Sequence, residues 1–301
     1  MKRKRSPRAR LVLSMLIFGT IGVFRRWIPY PSSVVALARS AIGLAFLLLL
    51  RAARREPVDR AAVRQNLWKL LLLGAMLGAN WILLFEAYNH TSVAAATICY
   101  YMAPVFILLL SPLVFGERLS LRKGLCAAAA VLGMALVSGV FSGGLHGARG
   151  IALGLGAAAL YAAIVMVNRT LRGLSAEDRT LMQFAAAVAV MLPYVLLTEE
   201  VAALTFTPRS LLLLLLVGVV HTGIAYVLYF GSIAEVSAQT AAFLSYLDPV
   251  VAVLLSLTLL GERMSLSAML GAALVLGAML LSERKPKKAR TENRSARQGL
   301  G

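Results

Sequence analysis

Two stretches of this chain read almost as one: SVAAATICYYMAPVFILLLSPLVFGERLSL at residues 92–121, and SAQTAAFLSYLDPVVAVLLSLTLLGERMSL at residues 237–266. At a constant shift, Ser92 falls on Ser237, Ala96 on Ala241, Tyr101 on Tyr246 and Pro104-Val105 on Pro249-Val250. Leu109-Leu110-Ser111 falls on Leu254-Leu255-Ser256, Gly116-Glu117-Arg118 on Gly261-Glu262-Arg263, and Ser120-Leu121 on Ser265-Leu266. From Tyr88 onward about 13 of 34 positions are identical. Leucine-rich segments share some identity by chance, but chance does not align Pro, Gly-Glu-Arg and Ser-Leu in one register.

Around this pair the chain is a succession of apolar runs. Of 301 residues, 59% are hydrophobic and 15% charged, with a mean hydropathy of +0.79. An ordinary soluble domain carries about 25% charged residues. A water-soluble surface and a disordered chain are both excluded. The runs approach 20 residues without strict alternation, so they predict membrane helices rather than barrel strands. Ten spans are expected, near 11–28, 32–50, 67–88, 92–114, 121–141, 150–168, 180–198, 209–230, 236–260 and 264–282. The basic start and Ala36-Leu37-Ala38 resemble a cleavable leader, but that site lies beyond Pro29 and Pro31, too far past the apolar region.

The net charge of +18 reads as orientation, not nucleic-acid binding, because basic residues sit in the tails and between spans. With a cytoplasmic N-terminus, roughly 25 basic residues fall inside. Outside are Arg25, Arg26, Arg149, Arg209 and Arg263. Both termini are therefore expected in the cytoplasm of a cell-membrane protein. The divisions are a basic tail at 1–10, five spans at 11–141, five at 150–283, and a basic, disordered tail at 284–301. Five spans is an odd number, so the second half crosses in the opposite sense. Inverted halves mark transporters, which exchange two conformations around a central site.

The fourth and fifth spans of each half, with their mid-helix Pro, Gly-Glu-Arg, Ser-Leu and a Gly/Ala-rich helix, resemble the EamA-type repeat of the drug/metabolite transporter superfamily. Phe18-Gly19-Thr20-Ile21-Gly22, Arg39, His221-Thr222-Gly223 and Tyr246-Leu247-Asp248-Pro249 look like that repeat too. The resemblance covers about 11–283. It implies an all-α fold of ten transmembrane helices in two inverted five-helix bundles. It also implies a cavity lined by the first, third and fourth helix of each half, and export of amino acids, other metabolites or drugs. The second half departs from it, with Met182-Gln183 near the position that matches Arg39.

Charges at membrane depth are costly and ask for a reason. Asp248 falls near a midplane on a stripe of small and polar residues including Ser245. Pro249 frees the carbonyl of Ser245, and Pro104 frees that of Tyr100. These groups suit a cation, an ammonium or a proton; a capped or ion-paired structural carboxylate is the other reading. Asp248 matches Ala103, so the acid occurs in one half only. His221 is a proton relay or a helix-to-helix hydrogen bonder, on one face with Ala225 and Tyr229. Arg39 pairs with an acidic side chain or opposes a substrate carboxylate. Glu86, with Asn80 and Trp81 nearer mid-span, snorkels to water or acts as a gate. Trp81, Tyr100, Tyr101, Tyr161, Tyr226 and Tyr246 line a cavity or pack as core and interface rings.

No Walker loop is present, so a secondary carrier, proton-coupled through Asp248, is expected. No His-Glu-x-x-His or Gly-x-Ser-x-Gly motif points to an enzyme, and neither the three histidines nor Cys99 and Cys126 form a metal or disulfide framework. No cofactor and no metal are expected. The expected partners are a small-molecule substrate and the lipid bilayer, with no nucleic acid. Homodimerisation is open through the Gly/Ala faces of the fifth and tenth spans. The alternative function is a facilitator or flippase for a lipid-linked or larger metabolite.

Overall fold

Serine, threonine and aspartate set where several of the helices begin. Ser6, Asp59, Ser92, Ser120, Ser175 and Thr207 each accept a backbone N–H from the first turn that follows them. The computed structural model describes residues 6–55, 58–116, 120–138, 147–233, 235–236 and 238–283. Outside these lie residues 1–5, Glu117 and Arg118, Gly143-Gly144, His146, Ser237 and the C-terminal tail.

The helices are α1 (Pro7–Gly19), α2 (Ile21–Trp27), α3 (Ser32–Arg54), α4 (Arg60–Gln65), α5 (Leu67–His90), α6 (Val93–Tyr100), α7 (Ala103–Phe115) and α8 (Leu121–Val137). They continue with α9 (Ala148–Asn168), α10 (Ala176–Thr198), α11 (Pro208–Leu216), α12 (Ala225–Ile233), α13 (Ala238–Ser245), α14 (Leu247–Thr258) and α15 (Leu266–Glu283). A π-helical segment, Val217–Ile224, joins α11 to α12. No strand occurs among the described residues.

Among the described residues, seven stretches are long and apolar enough to cross a membrane: Pro7–Trp27, Ser32–Arg54, Leu67–His90, Val93–Val114, Ala148–Asn168, Ala176–Thr198 and Pro208–Ser232. Large leucines face outward along them, among them Leu49, Leu113 and Leu197, as a lipid-facing surface requires.

The main packing partners are α8 with α15, α5 with α9 and with α10, α1 with α12, and α3 with α10 and with the π segment; α6 also packs on α14. Small residues permit the closest of these approaches. A Cβ on Gly133 would lie 2.7 Å from the Gly271 carbonyl oxygen, so α8 and α15 touch backbone to backbone.

Gly116 and Gly261, the matched glycines of the two Gly-Glu-Arg words, both adopt left-handed backbone, at φ 65° and 64°. Only glycine takes that conformation without cost, and it turns the chain out of α7 and α14. Ser120 and Ser265 then cap the next helices. In the second copy Glu262 reaches past its neighbour Arg263 to Arg26.

Candidate functional site

Two broken helices place the central groups. α6 stops at Tyr100 and α7 starts at Ala103, with Pro104 in its first turn. α13 stops at Ser245 and α14 starts at Leu247, with Pro249 in its first turn. Proline has no N–H to return to the carbonyl four residues back, so each chain bends where a polar side chain can turn inward. From the first break, the Tyr101 hydroxyl donates to Asp248 Oδ2 at 2.7 Å across to the second. The same hydroxyl lies 3.5 Å from the Ser245 carbonyl oxygen that Pro249 leaves free. α1 backs the pair, because a Cβ on Gly19 would sit 2.7 Å from the Asp248 carbonyl oxygen.

Tyrosines surround this carboxylate. The Tyr100 and Tyr101 rings stand 6.2 Å apart, and those of Tyr100 and Tyr161 5.4 Å apart. Tyr88, Tyr100, Tyr101 and Tyr161 lie within Coulombic reach of Asp248. Tyr246, the repeat partner of Tyr101, is buried among Ile98, Met102 and the α15 side chains.

Arg39 is the second charge. It is buried mid-way along α3, and its guanidinium lies 4.0 Å from the centroid of Trp81 and 5.5 Å from that of Phe85. Its Nε donates to Thr222 Oγ1 at 3.1 Å. It makes no salt bridge to any described residue. A central arginine costs roughly 2.5–3.5 kcal/mol on insertion scales, while one desolvated cation–π contact returns about 2 kcal/mol. Tyr88 and Tyr100 lie within Coulombic reach of both Arg39 and Asp248, so the two charges share these tyrosines as neighbours.

The π segment supplies the third group. Its wider turn lets the Thr222 hydroxyl donate to the Val217 carbonyl, five residues back, at 3.0 Å. Gly218 packs on Ile42, and Gly43 and Gly223 pack on Thr222 and Phe46, so the segment lies tightly on α3. His221 Nε2 meets Thr20 Oγ1 at 2.8 Å, and its ring lies 4.7 Å from Phe24. The four-residue face through His221, Ala225 and Tyr229 presumed an α-helix; the π turn ends at Ile224, so that register does not run unbroken through it. The π segment was not foreseen. Its signal is a β-branched run between glycines, Gly218-Val219-Val220-His221-Thr222-Gly223.

Two other expected residues sit elsewhere. Asn80 is fully buried and donates to the Ala157 carbonyl at 2.6 Å, holding α5 to α9. Glu86, near the end of α5, accepts from Ser32 at 2.8 Å, from Asn89 at 3.0 Å, and contacts His90 at 3.0 Å. Ser32 in turn accepts from Arg25 at 3.0 Å.

That end of the molecule is laced shut. Besides the Arg25–Ser32–Glu86 chain, Arg26 joins Glu262, and Ser33 donates to Glu199. At the opposite end, marked by Arg10 at the start of α1 and Arg54 at the end of α3, a cavity of about 270 Å³ opens. Its charged rim carries Arg10 paired with Glu235, and Arg51, which pairs with Asp178. Tyr226 and Phe230 line the cavity. Tyr226 packs at 5.3 Å on Phe184, which packs at 5.6 Å on Trp81, so rings lead from the cavity to Arg39.

A family described as EamA-like transporters matches residues 10–139 and again residues 148–283. An uncharacterized transporter, YxxF, of Bacillus subtilis strain 168 is 28% identical over 93% of this chain and 90% of its own length. Protein PecM of Dickeya dadantii strain 3937 is 24% identical over 71% of this chain and 73% of its own. Protein RarD of Escherichia coli K12 is 22% identical over 72% of each. A solved structure with 20% sequence identity superposes with a TM-score of 0.65 over 93% of this chain and 98% of that chain.

Proposed function

This chain belongs to the EamA-like transporter family, and on that premise we propose that it is a secondary carrier of small organic molecules, working by alternating access of two inverted halves. It is a multi-pass membrane protein. The carrier reading has ten crossings. α8 has 17 residues and α15 has 18, and α13 with α14 forms a stacked run from Ala238 to Thr258. At 1.5 Å per residue these reach about 26–32 Å, close to the bilayer core.

The packing pairs support the inverted halves. Number the crossings one to ten, with the second half running from six. The second then packs on the seventh, the fourth on the ninth and the fifth on the tenth. The third packs on the sixth, and the first on the eighth, which are exchanged by the same pseudo-twofold operation. Both termini are in the cytoplasm, by the excess of basic residues on that side. The open cavity then faces the cytoplasm and the laced end faces out, so the conformation is inward-facing. Export is the direction of transport.

The observation that carries the reading is the Tyr101–Asp248 hydrogen bond, which ties the broken helix of one half to that of the other. A carboxylate in such a place gains or loses a proton as the halves move, which couples transport to a proton gradient. The test is counterflow and electrometry in proteoliposomes, with amino acids, aromatic amines and organic acids as substrates. Saturable exchange that loses its pH dependence in Asp248→Asn is expected. A non-saturable leak, or full gradient-driven transport in that variant, rejects the mechanism.

A further inference from the structure

Two arginines are buried in the helices around the site, and the structure treats them differently. Arg25 is 4% exposed, and both of its terminal nitrogens are used: Nη1 donates to the Ile28 carbonyl and Nη2 to Ser32, each at 3.0 Å. Arg39 is also 4% exposed, yet its one hydrogen bond among the described residues is from Nε to Thr222. Its Nη1 and Nη2 have no partner among the described residues, and no described carboxylate pairs with it.

The fork is nonetheless held still. The Trp81 ring lies 4.0 Å and the Phe85 ring 5.5 Å from the guanidinium carbon, and Thr222 fixes the Nε edge. The two terminal nitrogens of a planar cation are left over, and such a pair can receive a carboxylate through two parallel hydrogen bonds. Tyr100 and Tyr226 lie within Coulombic reach of this group, and Tyr226 also lines the open cavity. Tyr226 thus belongs both to the cavity lining and to the surroundings of the fork, and an aromatic ring there suits a planar substrate.

We propose that Arg39 is the anion-binding group of the transport site, and that the substrate is a small organic acid whose carboxylate docks on Nη1 and Nη2. The inference rests on the carrier reading above. It assigns Arg39 to the substrate and leaves Asp248 to the coupling proton. A substrate bearing only a positive charge is excluded, because it would meet the buried guanidinium as a like charge.

The test uses a matched trio, phenylacetate, phenylacetamide and phenethylamine, on the full chain in proteoliposomes and in detergent. Phenylacetate alone is expected to exchange saturably and to raise the unfolding temperature. Arg39→Lys keeps the charge but loses the fork, and is expected to raise KM for phenylacetate by about tenfold without changing the unfolding temperature of the free protein. Arg39→Gln is expected to abolish both exchange and stabilisation.

Equal exchange of phenylacetamide or phenethylamine by wild type and Arg39→Lys overturns the assignment while the carrier reading stands. Stabilisation by phenylacetate that Arg39→Gln removes, with no exchange, keeps the anion site and rejects the carrier. Equal stabilisation by chloride or inorganic phosphate makes this an inorganic-anion site and overturns the substrate class. No response to any of the three compounds overturns the inference.

Discussion

Arg26 and Glu262 stand 236 positions apart in the chain and 2.8 Å apart in space. Arg26 ends α2, and Glu262 lies in the loop between α14 and α15. The same carboxylate accepts the Val93 backbone N–H at 2.8 Å, and Ser256 donates to it as well. Arg26 also donates to the Thr91 carbonyl at 2.9 Å. One ion pair therefore gathers the ends of α2, α5, α6 and α14 at the closed end of the molecule. An alternating-access cycle has to break it.

Glu262→Gln is expected to loosen this closed end. The amide keeps an acceptor for Val93 but loses the charge. The pair is only partly exposed, so its contribution is on the order of 1 kcal/mol, or about fivefold in the equilibrium between the two conformations. Thiol labelling of a cysteine placed at Ile28, which is buried at this end, in a background lacking Cys99 and Cys126, is expected to speed up by that factor. Exchanging the two charges, Arg26→Glu with Glu262→Arg, is expected to restore much of the protection.

Tyr101→Phe removes the hydroxyl that bonds Asp248 and leaves the ring packing in place. Exchange is expected to slow by about tenfold, the worth of one charge-assisted hydrogen bond. The unfolding temperature is expected to change little. Asp248→Asn is expected to leave exchange independent of pH, measured at two pH values in the same vesicles.

Gly19→Val puts a side chain between α1 and α14. The new Cβ would meet both the Asp248 carbonyl and the Val251 side chain at 2.7 Å. Backbone cannot yield as a flexible side chain does, so the helices must part. A loss of roughly 1–3 kcal/mol is expected, read as a lowered unfolding temperature in detergent. Gly277→Ala is the control, since nothing stands within 4 Å of that position.

Deleting Val219 shortens the π segment by the one extra residue that its wider turn accommodates. An α-helical register then rotates His221 and Thr222 relative to Tyr226, away from Thr20 and Arg39. Transport is expected to fall by at least about tenfold while the protein still inserts and elutes as one species. Unchanged kinetics would show that the π turn has no part in the site.

Much of this was legible along the chain because it depends on one residue or one local pattern. Apolar runs of membrane length, the paired prolines, the left-handed glycines and the serine caps act within a turn or two of themselves. They identified a helical membrane protein and located both helix breaks. The signature that repeats at Ser92 and Ser237 carries the resemblance to the family.

The partners of the charged groups were not legible. Position along the spans places Asp248, Arg39 and His221 at membrane depth; it does not state what they face. Asp248 meets a tyrosine of the other broken helix, Arg39 meets Trp81 and Thr222, His221 meets Thr20, and Glu262 passes over the adjacent Arg263 for Arg26. The sequence alone determined the class of protein and the two proline positions where its helices bend, because those are local properties of the backbone. Which charges are satisfied, and which one is left open, was decided only by tertiary packing, because each contact joins residues more than forty positions apart on helices whose rotation no local pattern sets.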